Sequence, residues 1–135
     1  MKYVSKSLFQ FVFDSSSLIW IERRSFMTHL RRRHSEVVMP EKVAEEVRQP
    51  GTPLENFLDR HPHVVTPLSA PEENRYLEIR GQPGIHNAEA AAITVALSRG
   101  LPLVIDESQK RARGKAENHG IRCLGWGDFI KGVYP

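Results

Sequence analysis

Cysteine is almost missing from this chain: Cys123 is the single one among 135 residues. That excludes an internal disulfide and a cysteine-rich zinc cage. Because it sits in the apolar segment Ile121-Arg122-Cys123-Leu124, it reads as a buried strand residue. Long apolar runs are missing too. None approaches the ~20 residues of a membrane span, and the stretch from Leu8 to Phe13 stops at Asp14, short of a secretory core. A soluble, cytoplasmic protein with no membrane partner is expected. There is no Gly-rich phosphate loop, no nucleophile elbow, no internal repeat and no low-complexity tract. Nucleotide-loop and serine-hydrolase chemistries are therefore not indicated.

What is present suits one compact domain over residues 1–135, with 40% hydrophobic content available for a core. Strand-like apolar runs occur at Leu8 to Phe13, Val37 to Met39, Val64 to Thr66, Leu103 to Ile105 and Ile121 to Leu124, and stretches with helical spacing lie between them. This alternation predicts an α/β fold, a three-layer α/β/α sandwich with a central parallel sheet. Thr52-Pro53-Leu54-Glu55 and Ser69-Ala70-Pro71-Glu72 each place a hydroxyl three residues before Glu, so Glu55 and Glu72 read as helix caps, not ligands. Gly100 and Gly120 fall where the helices Ala88 to Arg99 and Gln109 to His119 should stop.

The net charge is +3 and the pI about 9.2. Positive charge gathers at Arg23-Arg24, at Arg31-Arg32-Arg33 and at Lys110, Arg111, Arg113 and Lys115. These clusters suit either a phosphate backbone or ordinary solvated helix faces. His61 and His63 flank Pro62 with no third ligand nearby, which does not make a zinc site.

The chemistry lies in four carboxylates. Asp14 directly follows Phe9 to Phe13, and Asp106 directly follows Leu103 to Ile105. Ligands of open α/β sheets collect beyond the carboxyl ends of strands, so both are site candidates, although taken alone Asp14 reads more readily as a helix N-cap, and Asp106 can cap the next helix or pair with Lys110 or Arg111. Glu107 is a secondary candidate beside Asp106. In Pro40 to Val47, Val43 and Val47 share one helix face. At ~100° per residue Glu46 falls beside that face, while Glu45 falls opposite. Glu89 precedes Ala92, Ile93, Ala96 and Leu97 at core spacing, which turns it toward the sheet; a helix-dipole role in the first turn is the alternative. Crowded carboxylates make sense chiefly around a cation, and hard oxygen donors favour Mg²⁺ or Mn²⁺.

Three segments together resemble the PIN-domain nuclease family, in particular its toxin-like bacterial and archaeal branch. They are Phe11-Val12-Phe13-Asp14-Ser15-Ser16-Ser17-Leu18-Ile19, then Val38-Met39-Pro40-Glu41-Lys42-Val43-Ala44-Glu45-Glu46-Val47, and finally Ala88-Glu89-Ala90-Ala91-Ala92-Ile93 with Leu103-Val104-Ile105-Asp106-Glu107. The resemblance implies that Asp14, Glu46, Glu89 and Asp106 are the catalytic acids and hold the metal. Glu107 is an alternate ligand and Ser16 a polar neighbour. The family often has Gly where this chain has Ala88, and a further acid where it has Ala91.

The implied activity is Mg²⁺- or Mn²⁺-dependent endoribonucleolytic cleavage of RNA, with Lys110, Arg111 and Arg113 contacting phosphates. The implied setting is the toxin of a toxin–antitoxin pair, a homodimer held inactive by a small antitoxin protein. Two other readings stand beside it. One is a catalytically silent PIN-like module that binds nucleic acid or protein. The other is a small phosphotransfer or phosphatase domain; a haloacid-dehalogenase type is disfavoured because Ser16 stands where a second Asp is needed.

Overall fold

The computed structural model describes residues 9–25, 27–28, 35–106 and 110–131, and of residues 110–112 the backbone alone. In chain order the elements are β1 (Phe9–Phe13), α1 (Ser15–Arg23), β2 (Ser35–Pro40), α2 (Glu41–Val47), α3 (Pro53–Leu58), β3 (His63–Thr66), α4 (Ala70–Arg80), α5 (Asn87–Arg99), β4 (Leu103–Ile105), α6 (Lys110–Asn118), β5 (Cys123–Gly125) and α7 (Trp126–Lys131). The strands form one sheet in the order β3-β2-β1-β4-β5, with every neighbouring pair parallel. The expected α/β fold with a central parallel sheet is the one observed.

Short apolar runs become strands here because they are covered on both faces. β1 buries Phe11, Val12 and Phe13, and every residue of β4 and β5 is buried. Within the sheet, apolar side chains stay open only at the first residue of β1, Phe9, and on the edge strand β3, at Val64 and Val65. Phe129 of α7 meets Phe11 and Phe13 edge to face, at centroid distances of 5.0 and 5.2 Å, which locks the C-terminal helix onto β1. The strand expected over Ile121 to Leu124 begins only at Cys123, and Cys123 is buried there. Burial, followed by the Glu117 charge, pushes its thiol up to about 11, so it stays a protonated core group at neutral pH.

Ser69 forms the expected full capping box with Glu72, whereas Thr52 caps α3 by accepting from the Glu55 amide. Gly100 adopts φ +65° at the end of α5, a left-handed turn that a side chain would strain.

The strand order decides where a site can form. From β1 the chain moves outward through β2 and β3, then returns to build β4 and β5 on the other side of β1. The direction therefore reverses between β1 and β4, and a crevice opens there at the carboxyl ends of the strands. Phe13 is in register with Val104, so Asp14 and Asp106 both emerge at that crevice.

Candidate active site

Asp14 is fully buried and performs two tasks. Its Oδ1 accepts from the Ser17 amide at 2.8 Å and caps α1, and its Oδ2 accepts from the Asp106 amide at 3.4 Å. Cap and site residue are one side chain, so the two readings of Asp14 are compatible. Burial raises its pKa from 3.8 to about 6, partly offset by the Ser17 side chain and by the Ser17 and Asp106 amides, and the Glu89 charge pushes the same way as burial. Asp106, 5% exposed, leaves β4 on the neighbouring strand.

Glu89 enters from the first turn of α5 and is 6% exposed. Its Oε1 accepts from the His86 amide at 3.0 Å, but among the described residues its buried Oε2 has no hydrogen-bond partner. Burial raises the Glu89 pKa, the nearby His86 opposes this, and the charges of Asp106 and Glu46 raise it further. A buried carboxylate oxygen left bare among other acids is costly unless a cation or a proton answers it.

Glu46 reaches the cluster from α2. Both Glu45 and Glu46 are exposed, so burial does not separate them as helical phase suggested. A hydroxyl does: Ser15 Oγ donates to Glu46 Oε1. Ser15 is the first residue of α1 and is buried, so it ties the second acid to the turn that carries the first. The expected polar neighbour was Ser16, but Ser15 makes this bond and Ser16 is half-buried beside it. The only sequence signal for Ser15 is its position directly after Asp14. A polar cleft of about 380 Å³ opens in front of Glu46, lined by Lys42, Glu45, Glu46, His86, Asn87 and Ala88.

Glu107 lies outside the described residues, as do the side chains of Lys110 and Arg111. Arg113 donates to the Cys123 carbonyl at 3.3 Å and pairs with Glu117 at 3.6 Å, so its guanidinium is partly engaged within the fold. Ala91, where a further acid is common, is fully buried in the core. His63 is held by Arg48 and the His61 carbonyl, in a network that also contains Glu55 and Asp59.

Among the described residues, no three His, Cys, Asp or Glu side chains are grouped closely enough to hold an ion by themselves. A stripped, tightly caged ion such as structural zinc does not suit this arrangement. A hydrated hard cation does, because Mg²⁺ keeps several waters and is satisfied by one or two direct carboxylates. The bare Glu89 oxygen and the mutual repulsion of the acids are what such a cation would relieve. A roomier cleft of about 560 Å³ lies around Glu72, Arg75 and Arg99, and none of the four acids lines it.

Residues 10–126 match a family model described as a PIN domain. The fold is similar to that of a PilT N-terminus domain protein from the hyperthermophilic archaeon Sulfolobus solfataricus P2. The TM-score is 0.65 at 16% identity, with 92% of each chain covered. No curated protein sequence matches the chain. Among the described residues, no helix is long and apolar enough to cross a membrane.

Proposed function

This chain belongs to the PIN-domain family, and from that premise we propose that it is a Mg²⁺- or Mn²⁺-dependent endoribonuclease. PIN domains are generally nucleases and typically use divalent metals, which supports hydrolase chemistry at a coarse level. The observation that carries the finer reading is the buried Glu89 oxygen without a partner, facing the charges of Asp106 and Glu46 at the switch point of the sheet.

Asp14, Glu46, Glu89 and Asp106 would hold a hydrated cation, in part through its waters, and would not attack phosphorus themselves. A bound Mg²⁺ or Mn²⁺ supplies charge neutralisation at the phosphodiester and acidification of an attacking water. Asp14 is fixed from two sides by the Ser17 and Asp106 amides, which keeps its carboxylate aimed without rotamer search. Ser15 aims Glu46 in the same way. Lys42 and His86 line the adjoining cleft and offer donors to a phosphate. On the strength of the sequence alone, the reading keeps Lys110 and Arg111 as phosphate contacts, with Arg113 in a secondary role. The same reading makes the chain the toxin of a toxin–antitoxin pair, a homodimer silenced by a small antitoxin entering the acidic groove. Its support is the likeness of the sequence motifs.

The test is incubation with a mixed RNA pool in Mg²⁺, in Mn²⁺ and in EDTA, with Asp106→Asn in parallel. Cleavage is expected only with a cation, and Asp106→Asn should lose it. Cleavage in EDTA would overturn the mechanism, and RNA binding without cleavage in either cation would identify a silent module instead. Ser15→Ala should lower cation affinity roughly tenfold, the usual size for an outer partner of a ligand. Equal Mn²⁺ affinity in Ser15→Ala and wild type would show that Ser15 does not position Glu46.

A further inference from the structure

The chain has two tryptophans, and they meet. Trp20 on α1 and Trp126 at the start of α7 have ring centroids 6.4 Å apart and planes 6° from parallel. Both are half-buried. The guanidinium groups of Arg23 and Arg24, both exposed residues, lie 5.9 and 5.4 Å from the Trp20 centroid. Packing explains part of this, since Trp126 leans on the hydrophobic core. It does not explain why two large rings stay partly open with two cations held against one of them. Rings of this kind beside guanidinium groups suit single-stranded nucleic acid, whose bases stack on aromatic faces while the backbone meets positive charge.

The pair also stands in the right place. Gly125 of β5 is in register with Ile105 of β4. The residues that follow, Trp126 and Asp106, therefore leave the same end of the sheet on adjacent strands, whose spacing is roughly 5 Å. A nucleotide bound at the acidic crevice would have its neighbour close to the tryptophans.

We propose that Trp20 and Trp126, flanked by Arg23 and Arg24, form a base-stacking subsite that holds one unpaired nucleobase of the RNA beside the acidic cluster. The guanidinium groups meet the adjoining phosphate. This rests on the nuclease reading above and narrows its substrate to RNA with an unpaired base next to the bond that is cut. A base within a duplex is covered on both faces by its neighbours and has no face left for the subsite.

Because Trp20 and Trp126 are the only tryptophans, intrinsic fluorescence at tryptophan excitation reports on this subsite alone. The probe set is single-stranded oligoadenylate RNA, an abasic ribose-phosphate oligomer of equal length, and a blunt RNA duplex. Each is titrated into Asp14→Asn protein with Mg²⁺, so that binding is read without cleavage. Oligoadenylate should quench the fluorescence saturably, and the other two should bind at least about tenfold more weakly with little quenching. Arg23→Ala with Arg24→Ala should make the salt dependence of binding shallower, by about 0.7 in the log-log slope for each phosphate that is no longer neutralised. Trp20→Leu and Trp126→Leu should weaken oligoadenylate binding about tenfold; if either fails to fold, the comparison of the three probes decides alone. Equal quenching by the abasic oligomer, or none by oligoadenylate, would overturn the subsite. The nuclease reading fails separately: wild-type protein that shows base-dependent quenching but cuts no RNA contradicts that reading and not the subsite.

Discussion

Asp14→Asn is expected to abolish RNA cleavage, by on the order of 1000-fold, while making the metal-free protein more stable above pH 6. The two effects share a cause. Burial raises the Asp14 pKa from 3.8 to about 6, so the folded state binds this proton more tightly than the unfolded chain does. For a raised carboxyl, the favourable contribution is complete below about 4 and is lost as pH rises through about 6. Above that, the ionised side chain opposes folding by at most about 3 kcal/mol, at 1.36 kcal/mol per pKa unit. Asn keeps an acceptor for the Ser17 amide and is itself a good N-cap, so the substitution removes the burden and leaves the cap, giving up only the long 3.4 Å bond from the Asp106 amide. Melting curves of both proteins in EDTA across pH 3.5 to 8 check this. The variant should melt several degrees higher at pH 7.5 and level with wild type near pH 3.5. A gap that does not change with pH would mean that Asp14 is not a buried, destabilising acid. A gain in stability that accompanies loss of the reaction is what a site built of crowded acids should give.

Arg99→Ala is expected to destabilise the fold by about 2–4 kcal/mol at neutral pH, with the acidic cluster untouched. Glu72 is the reason. Its side chain is 6% exposed and is gripped by Arg99 through two bonds, Nε at 3.1 Å and a terminal nitrogen at 3.2 Å. Ser98 and the Ser69 amide complete the grip. The Arg99 guanidinium is the main cause that lowers the Glu72 pKa to about 2. Removing it strands a buried carboxylate, which costs more than the pair itself contributes. For a lowered carboxyl, the stabilisation is present above about 4.5 and disappears as pH falls through about 2, so the penalty of Arg99→Ala should shrink in acid. Urea unfolding at pH 7 and pH 3 measures the difference. Adding Glu72→Gln should recover much of the loss, and a double variant as unstable as the sum of the singles would show that the two residues are not coupled.

These two carboxylates show what could be read in the chain and what could not. Glu72 was legible as a cap because Ser69 stands three residues before it, and the capping box is present. Its tie to Arg99 was not legible, since nothing local connects α4 to the end of α5. Asp14 and Asp106 were legible because an acid directly after a short apolar run marks a strand end, and the sheet places both at its switch point. Glu89 followed from helical phase, and it is buried as that phase requires. Phase was a weaker guide to Glu46, because α2 exposes both Glu45 and Glu46 and only the Ser15 hydroxyl distinguishes them. The stacking of Trp20 on Trp126 joins the first and last described helices, a pairing that no periodicity announces.

Mn²⁺ binding tests most directly whether the four acids act as one cation site, because it needs neither the right RNA nor an intact reaction. Titration at pH 7.5, followed by loss of the free-ion EPR signal, should show saturable uptake that Mg²⁺ competes away. Asp14→Asn and Glu89→Gln should each weaken it at least about tenfold. No saturable uptake by the wild-type protein, or uptake undiminished in both variants, would contradict a cation site at Asp14, Glu46, Glu89 and Asp106.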